Sequence, residues 1–253
     1  MKKIEICGLV GLPEFDKTID VATSIITNIV EHNLDVLDND IFLITQKIIS
    51  KAEDRIIDIT TIVPSNKASD ISVRTGKDPR LVELILNESI NIIRIDETRG
   101  IIIAETHHGF ICANAGIDSS NVPGNNNVSL LPVDPDRSAR IILQTLKKQF
   151  GRDSLAVIIT DTFGRPWREG HVNFAIGSAG LDPFIDYRHF EDAVGKKLSV
   201  TRIALADELA AAAELMTGKF ENIPVVLIRG ITFDPSDSDS RHLLRGKDED
   251  LFR

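Results

Sequence analysis

The stretch from Val157 to Gly170, VIITDTFGRPWREG, concentrates side chains that could do chemistry. Its apolar start, Leu155 to Ile159, is rich in β-branched residues and reads as a short buried strand. The strand runs into Thr160, Asp161 and Thr162. A carboxylate at the end of a buried strand is costly unless a cation or a hydrogen-bond donor meets it. Phe163 to Gly170 then reads as a loop in which Arg165 and Arg168 flank the chain's single tryptophan, Trp167. Guanidinium forks match phosphate and carboxylate groups. The stretch reads as an anion site with Asp161 holding a metal ion at its edge. The plainer reading is a structured loop whose Trp167 plugs a groove and whose arginines pair with surface acids.

Other segments add compatible groups. Asp118 and Asn121 lie three apart in a polar, glycine-bearing stretch, so one turn would aim both oxygens at one point. Hard cations such as Mg²⁺ and Mn²⁺ take oxygen ligands of this kind. Taken alone, an Asx turn is the simpler account of Asp-Ser-Ser-Asn. The strand DIFLIT, Asp40 to Thr45, runs into Gln46, Lys47, Ser50 and Lys51. Those amide, hydroxyl and ammonium groups either line a nucleotide pocket or form a solvated helix start. From spacing, Gly11-Leu12-Pro13-Glu14 is an ordinary strand-to-helix connector. No Gly-Lys pair is followed by Ser or Thr, and no GxGxxG, HExxH or GxSxG motif occurs. The remaining inventory of Asp118, Asp161, Arg165, Arg168, Lys47 and Lys51 suits phosphoryl transfer, where positioning and charge neutralisation carry most of the catalysis. It leaves the acceptor open.

The elements that must position these groups follow from periodicity. Ile4 to Val10 reads as a strand, and Ile19 to Val30 has helical spacing ending near His32-Asn33. Asn66 to Glu88 carries two short helices separated by Gly76 to Pro79. Ile90 to Ile95, Ile101 to Glu105 and Phe110 to Asn114 read as hairpin-linked strands. Asn125 to Asn127 reads as a loop tip. A helix from Asp134 to Phe150 has Asp134 as N-cap, Pro135 at its first position and Gly151 as its stop. Val172 to Ile176, Phe184 to Tyr187 and Ser199 to Ala204 are strand candidates. The alanine-rich helix Asp207 to Met216 packs closely on a neighbour and stops at Gly218. Ile223 to Ile228 is the last strand. The charged tail from Asp234 either orders on binding or packs on a partner subunit. Helices and strands mix without regular alternation, so the fold class is α+β with mixed and antiparallel sheets.

A length of 253 residues allows one large domain or two small ones. The formal charge of −9 argues against nucleic acid or an anionic membrane as the main partner. Two distant cysteines, Cys7 and Cys112, make no disulfide framework and no cysteine zinc site, which fits a reducing cytoplasm. The N-terminus reads as a strand rather than a signal peptide, and no stretch is long and apolar enough to span a membrane.

Five segments in order, TQKIISKAE, ANAGIDSSNVPG, ITDTFGRPWREG, ADELAAAAELMTGK and EDLFR, resemble the coenzyme F-420-0:L-glutamate ligases, or γ-glutamyl ligases. The resemblance covers nearly the whole chain. It implies a single ligase unit, residues 1–253, built from two intertwined α+β subdomains in an F-420 γ-glutamyl ligase-like fold. It implies a homodimer, GTP as phosphoryl donor, two divalent ions (Mg²⁺ or Mn²⁺) and potassium as a helper. By position, Asp118 and Asp161 match ligands of the first ion and Thr162 a ligand of the second. Leu12, Pro13 and Glu14, then Thr45, Gln46 and Lys51, then Asn121, fall where the family contacts the nucleotide. So does Thr217 to Pro224, which includes Gly218 and Lys219. Lys219 is a departure, because the family often has Glu or Gln there to help hold the second ion. An ammonium has no lone pair for a metal. The implied reaction joins L-glutamate to coenzyme F-420-0 through an acyl phosphate and then adds γ-linked glutamate. Arg165 and Arg168 are expected, on chemistry alone, to clamp phosphate or carboxylate. The alternatives are an amide ligase for another carboxylated cofactor and a GTP-binding regulatory protein without turnover.

Overall fold

The computed structural model describes residues 2–188 and 190–251. Of the segment EDLFR, Phe252 and Arg253 therefore lie outside the described residues. In chain order the elements are β1 (Glu5–Gly8), α1 (Val21–Glu31), β2 (Asp40–Thr45), α2 (Gln46–Ala52), β3 (Ile56–Asp58), α3 (Asn66–Thr75), α4 (Pro79–Asn87), β4 (Ser89–Asp96), β5 (Ile101–Thr106), β6 (Ile111–Ala113), β7 (Asn127–Ser129), α5 (Pro135–Phe150), β8 (Leu155–Arg165), β9 (Arg168–Ala179), β10 (Ile185–Asp186), β11 (Arg202–Ile203), α6 (Leu205–Thr217) and β12 (Val225–Arg229). This is the mixed α+β architecture expected.

The main sheet has the order β1-β12-β2-β8-β9, and only β2 and β8 run parallel. Both faces are covered, which is why β2 reads as an unbroken apolar run. Phe42 and Ile44 pack with Leu155, Val157 and Ile159 against α1 and α5. Ile41 and Leu43 pack with Ala156 and Ile158 against α6 on the other face. Ala206, Ala210 and Ala213 of α6 are buried, so the small side chains do bring that helix close to the sheet. A second sheet, β4-β5-β6, is antiparallel throughout and covers α3 and α4 through a separate core of Ala68, Ile71, Val82, Ile85 and Ile102.

Local signals explain the helix ends. The Asp134 carboxylate accepts the Arg137 N–H at 2.8 Å, and Pro135 occupies the first turn of α5. Gly151 stops that helix in the left-handed region, at φ 62°.

Three expectations are corrected. The stretch read as a loop, Phe163 to Gly170, is a β-hairpin: pairing continues from Thr160↔Ala175 out to Arg165↔Arg168, leaving only Pro166 and Trp167 to turn. Trp167 is 78% exposed and plugs no groove. Asn127, placed in a loop tip, begins β7. The charged tail is ordered on its own fold. Ser240 is buried, donates its N–H to Asp136 at 2.9 Å and its hydroxyl to the Ile176 carbonyl at 2.9 Å. Leu243 and Leu244 then reach the two main cores. No helix among the described residues is long and apolar enough to cross a membrane.

Candidate active site

Because β2 and β8 are parallel neighbours, their carboxyl ends open on the same edge of the sheet. β8 is displaced there by a bulge: Ile159 pairs with Gly177 but Thr160 with Ala175, leaving Ile176 as an extra residue in β9. Beyond the bulge, alternation sends Asp161 to the same face as Ile159 and Phe163, while Thr160 and Thr162 face the end of α6. A cavity of about 750 Å³ lies at this edge. Its walls come from the turn after β1, the start of α2, the loop after β6, the end of β8 and the turn after α6.

Most residues singled out in the sequence meet here. Leu12, Pro13, Glu14, Thr45, Gln46, Lys51, Asn121, Thr217, Gly218 and Lys219 line the cavity, as do Asp118, Asp161 and Thr162. Asp118 is held in an Asx turn: its Oδ1 accepts the Ser120 N–H at 2.8 Å and its Oδ2 the Ser120 hydroxyl at 2.7 Å. The Lys47 ammonium lies 2.8 Å from Asp118 Oδ2 and donates to the Ser120 carbonyl at 2.7 Å. Burial pushes the Asp118 carboxyl up, yet the bonds from Lys47 and Ser120 together hold it below its ordinary value. The Lys51 ammonium pairs with Glu14. Thr162 donates its hydroxyl to Asn173 Oδ1 at 2.7 Å and accepts from the Lys219 ammonium at 3.1 Å.

Asp161 differs from these paired groups. Burial raises its pKa from 3.8 to about 7, and the nearby Asp118 charge adds to the rise. A Thr162 N–H bond and the charges of Lys47 and Lys219 oppose it. A half-buried acid facing a second acid is a strong demand for a cation. Among the described residues no group of three or more His, Cys, Asp or Glu is gathered to hold a metal ion. Asp118 and Asp161 nonetheless form a hard-oxygen donor pair that fits one magnesium or manganese ion. Thr162 does not offer the same welcome, because the Lys219 ammonium is already on its hydroxyl.

The wall behind Asp118 is strained. Asn114 and Ala115 have φ of 53° and 55°, a region costing a non-glycine residue about 1–3 kcal/mol. The turn aims the chain from Cys112, beside Asp161, to Asp118 within a few residues.

Residues 10–230 match the model of the family described as F420-0:gamma-glutamyl ligase. The chain belongs to that family. It is 49% identical over 253 residues to the coenzyme F420:L-glutamate ligase of Methanothermobacter thermautotrophicus, covering 99% of each chain. It is 39% identical over 253 residues to the protein of the same name from Methanocaldococcus jannaschii, covering 100% of this chain and 98% of that one. The Methanopyrus kandleri protein of that name is 40% identical over 233 residues, 90% of this chain and 91% of its own. The family resemblance drawn from five motifs is thus shown.

Two residues expected in the site are not brought to it. Arg165 and Arg168 are absent from the cavity lining; the hairpin carries them past Gly164, and Arg165 Nη2 donates to the Glu169 carbonyl at 2.9 Å. The strand pairing puts both arginines at the end of the hairpin, outside this cavity in the free chain. Sequence reasoning also missed lining residues. His171 and Asn173 sit opposite Gly164 and Thr162 in β9, so a hairpin reading with its register would have found both. Glu214 lies one helical turn before Gly218 and faces Lys219 at 3.5 Å.

Proposed function

We propose that this chain joins L-glutamate to coenzyme F420-0 with GTP as phosphoryl donor, and then adds further glutamate through γ-linkages. One observation carries the reading: in a chain of this family, one cavity gathers two metal-suited acids and three ammonium groups at the carboxyl ends of parallel β2 and β8. Its size is in the range of small-molecule sites.

The reaction proceeds in two displacements. A carboxylate oxygen of the cofactor's lactyl group takes the γ-phosphoryl group, and GDP leaves. The amine nitrogen of L-glutamate then attacks the acyl carbon and sheds a proton. The carbon–oxygen bond to phosphate breaks, and an amide remains. Lys47 and Lys51 sit at the end of β2 to neutralise phosphate oxygens; in the free chain Asp118 and Glu14 hold them in place. Leu12 to Glu14, Thr45, Gln46, Asn121 and the turn from Thr217 form the nucleotide walls. Asp118 and Asp161 would hold a Mg²⁺ or Mn²⁺ ion, which when bound would supply charge neutralisation on the transferred group. Potassium enters as a helper without assigned ligands. The chain works as one unit of two intertwined parts, in agreement with a cavity walled both by the loop after β6 and by β8. Two free thiols agree with a reducing, cytoplasmic setting. The assembly is a homodimer, and light scattering is expected to give twice the chain mass.

Trapping tests the first step. With GTP and F420-0 but no glutamate, hydroxylamine intercepts an acyl phosphate as the cofactor hydroxamate. Hydroxamate from a different carboxylated cofactor, and none from F420-0, favours the alternative amide ligase. GTP binding with neither hydroxamate nor GDP favours a regulatory protein.

Metal binding carries a pH signature. Asp161 must lose its proton to hold the ion, and its pKa in the free chain is raised to about 7. Apparent Mn²⁺ affinity therefore climbs about tenfold per pH unit from about pH 5 to about pH 7 and then levels. Titrations followed by paramagnetic resonance read this directly; an affinity flat across that interval contradicts the role of Asp161.

A further inference from the structure

We propose that the Lys219 ammonium is a built-in cation standing where a second metal ion would sit, so that the chain binds one divalent ion with its nucleotide. The inference rests on the nucleotide reading of the cavity given above.

Gly218 ends α6 at φ 51° and ψ −158°, a backbone region that residues with a Cβ rarely adopt. Only glycine fits this sharp exit. The turn throws Lys219 back across the cavity mouth. Its Nζ donates to Thr162 Oγ1 at 3.1 Å and lies 3.5 Å from Glu214 Oε1. Thr162 in turn gives its own proton to Asn173 Oδ1. Its hydroxyl therefore presents lone pairs toward Lys219, which is the orientation a cation would demand. The ammonium fills that demand.

Charge matching across the cavity points the same way. Lys51 pairs with Glu14, and Lys47 with Asp118. Lys219 bridges Thr162 and Glu214 on the opposite face of β8 from Asp161. Asp161 is the acid of the group with no ammonium placed on it by hydrogen bonding, and with Asp118 it is where a divalent ion fits. A second divalent ion at Thr162 would face a fixed positive charge at contact distance, and Lys219 offers it no lone pair. A tethered ammonium supplies one positive charge there without requiring an ion from solution.

The test counts ions. The full chain is loaded with guanosine 5′-(β,γ-imido)triphosphate and titrated with Mn²⁺, and free Mn²⁺ is read by paramagnetic resonance. The wild-type chain and Lys219→Arg bind one tight ion. Lys219→Gln and Lys219→Glu, which put an oxygen donor in place of the ammonium, bind two, the second at least about tenfold tighter than any second ion on the wild type. Lys219 is solvent-exposed at a helix end, and circular dichroism melts check that these variants fold. Two tight ions on the wild-type chain overturn the inference alone. So does a single ion on folded Lys219→Glu. Failure of the wild-type chain to bind the nucleotide overturns the functional reading, and this inference with it.

Discussion

Asp161→Asn lowers ligase turnover by about a thousandfold, while the metal-free chain at pH 8 becomes more stable, not less. The two effects share one cause. The carboxylate sits on the apolar face of β8 with Ile159 and Phe163, where burial raises its pKa from 3.8 to about 7. A raised folded-state value means the folded chain holds a proton the unfolded chain has released. Stability from this group is complete below about pH 4 and is lost as the pH rises through about 7. At pH 8 the wild-type chain therefore carries a buried charge costing a few kcal/mol. Asparagine keeps the shape and removes that cost. It also removes one of two acids that hold the ion, and loss of one preorganised electrostatic group at such a site costs about 10²–10³ in rate. Thermal melts at pH 5 and pH 8, with and without Mn²⁺, check the linkage. Mn²⁺ raises the melting temperature of the wild type and leaves the variant unmoved. A variant that retains turnover, or melts lower than wild type at pH 8 without metal, contradicts this account of the site.

Arg229→Met destabilises the fold by about 3–5 kcal/mol without touching the chemistry. Asp40 opens β2 and is wholly buried. Arg229 closes β12 beside it and donates through Nε and Nη2 to the two carboxylate oxygens, each at 2.7 Å. Nη2 also donates to the Asp35 carbonyl at 2.7 Å. Removing the guanidinium strands a buried carboxylate whose remaining donor is the Leu37 N–H. The melting temperature falls by about 6–20 °C for a chain of this size. Arg229→Met combined with Asp40→Leu recovers most of the loss, since the pair as a whole contributes little beyond its own desolvation. Thr45, which lines the cavity, lies at the other end of β2, roughly 16 Å away along the strand. Turnover at low temperature is unchanged in both variants. A drop in turnover without a drop in melting temperature would place this pair in the mechanism instead.

Local physics made much of the fold legible. DIFLIT and LAVII are apolar on both sides because the sheet is covered on both faces, and continuous runs of that kind mark such strands without homologues. Asp134, Pro135 and Gly151 marked both ends of α5. The hairpin at Arg165 to Arg168 was not legible. Its turn needs Trp167 at φ 57°, a conformation that tryptophan does not signal. The Arg-Pro-Trp-Arg run therefore reads as a loop. The tail was illegible for another reason. Its anchor is the bond from Ser240 to Asp136, 104 residues earlier, and no window of local sequence contains that contact. The candidate site divides the same way. Asp118 and Asp161 were visible as acids at element ends. His171 and Asn173 came into view only through strand register, and the placement of Lys219 on Thr162 only through the exit of α6.

The most direct measurement incubates the purified chain with coenzyme F420-0, L-glutamate, GTP and Mn²⁺ and reads the cofactor by mass spectrometry, beside Asp161→Asn. The account predicts cofactor heavier by one or more glutamate residues, matched by GDP release, with both lost in the variant. Unchanged cofactor mass in a preparation that binds GTP and Mn²⁺ would contradict it.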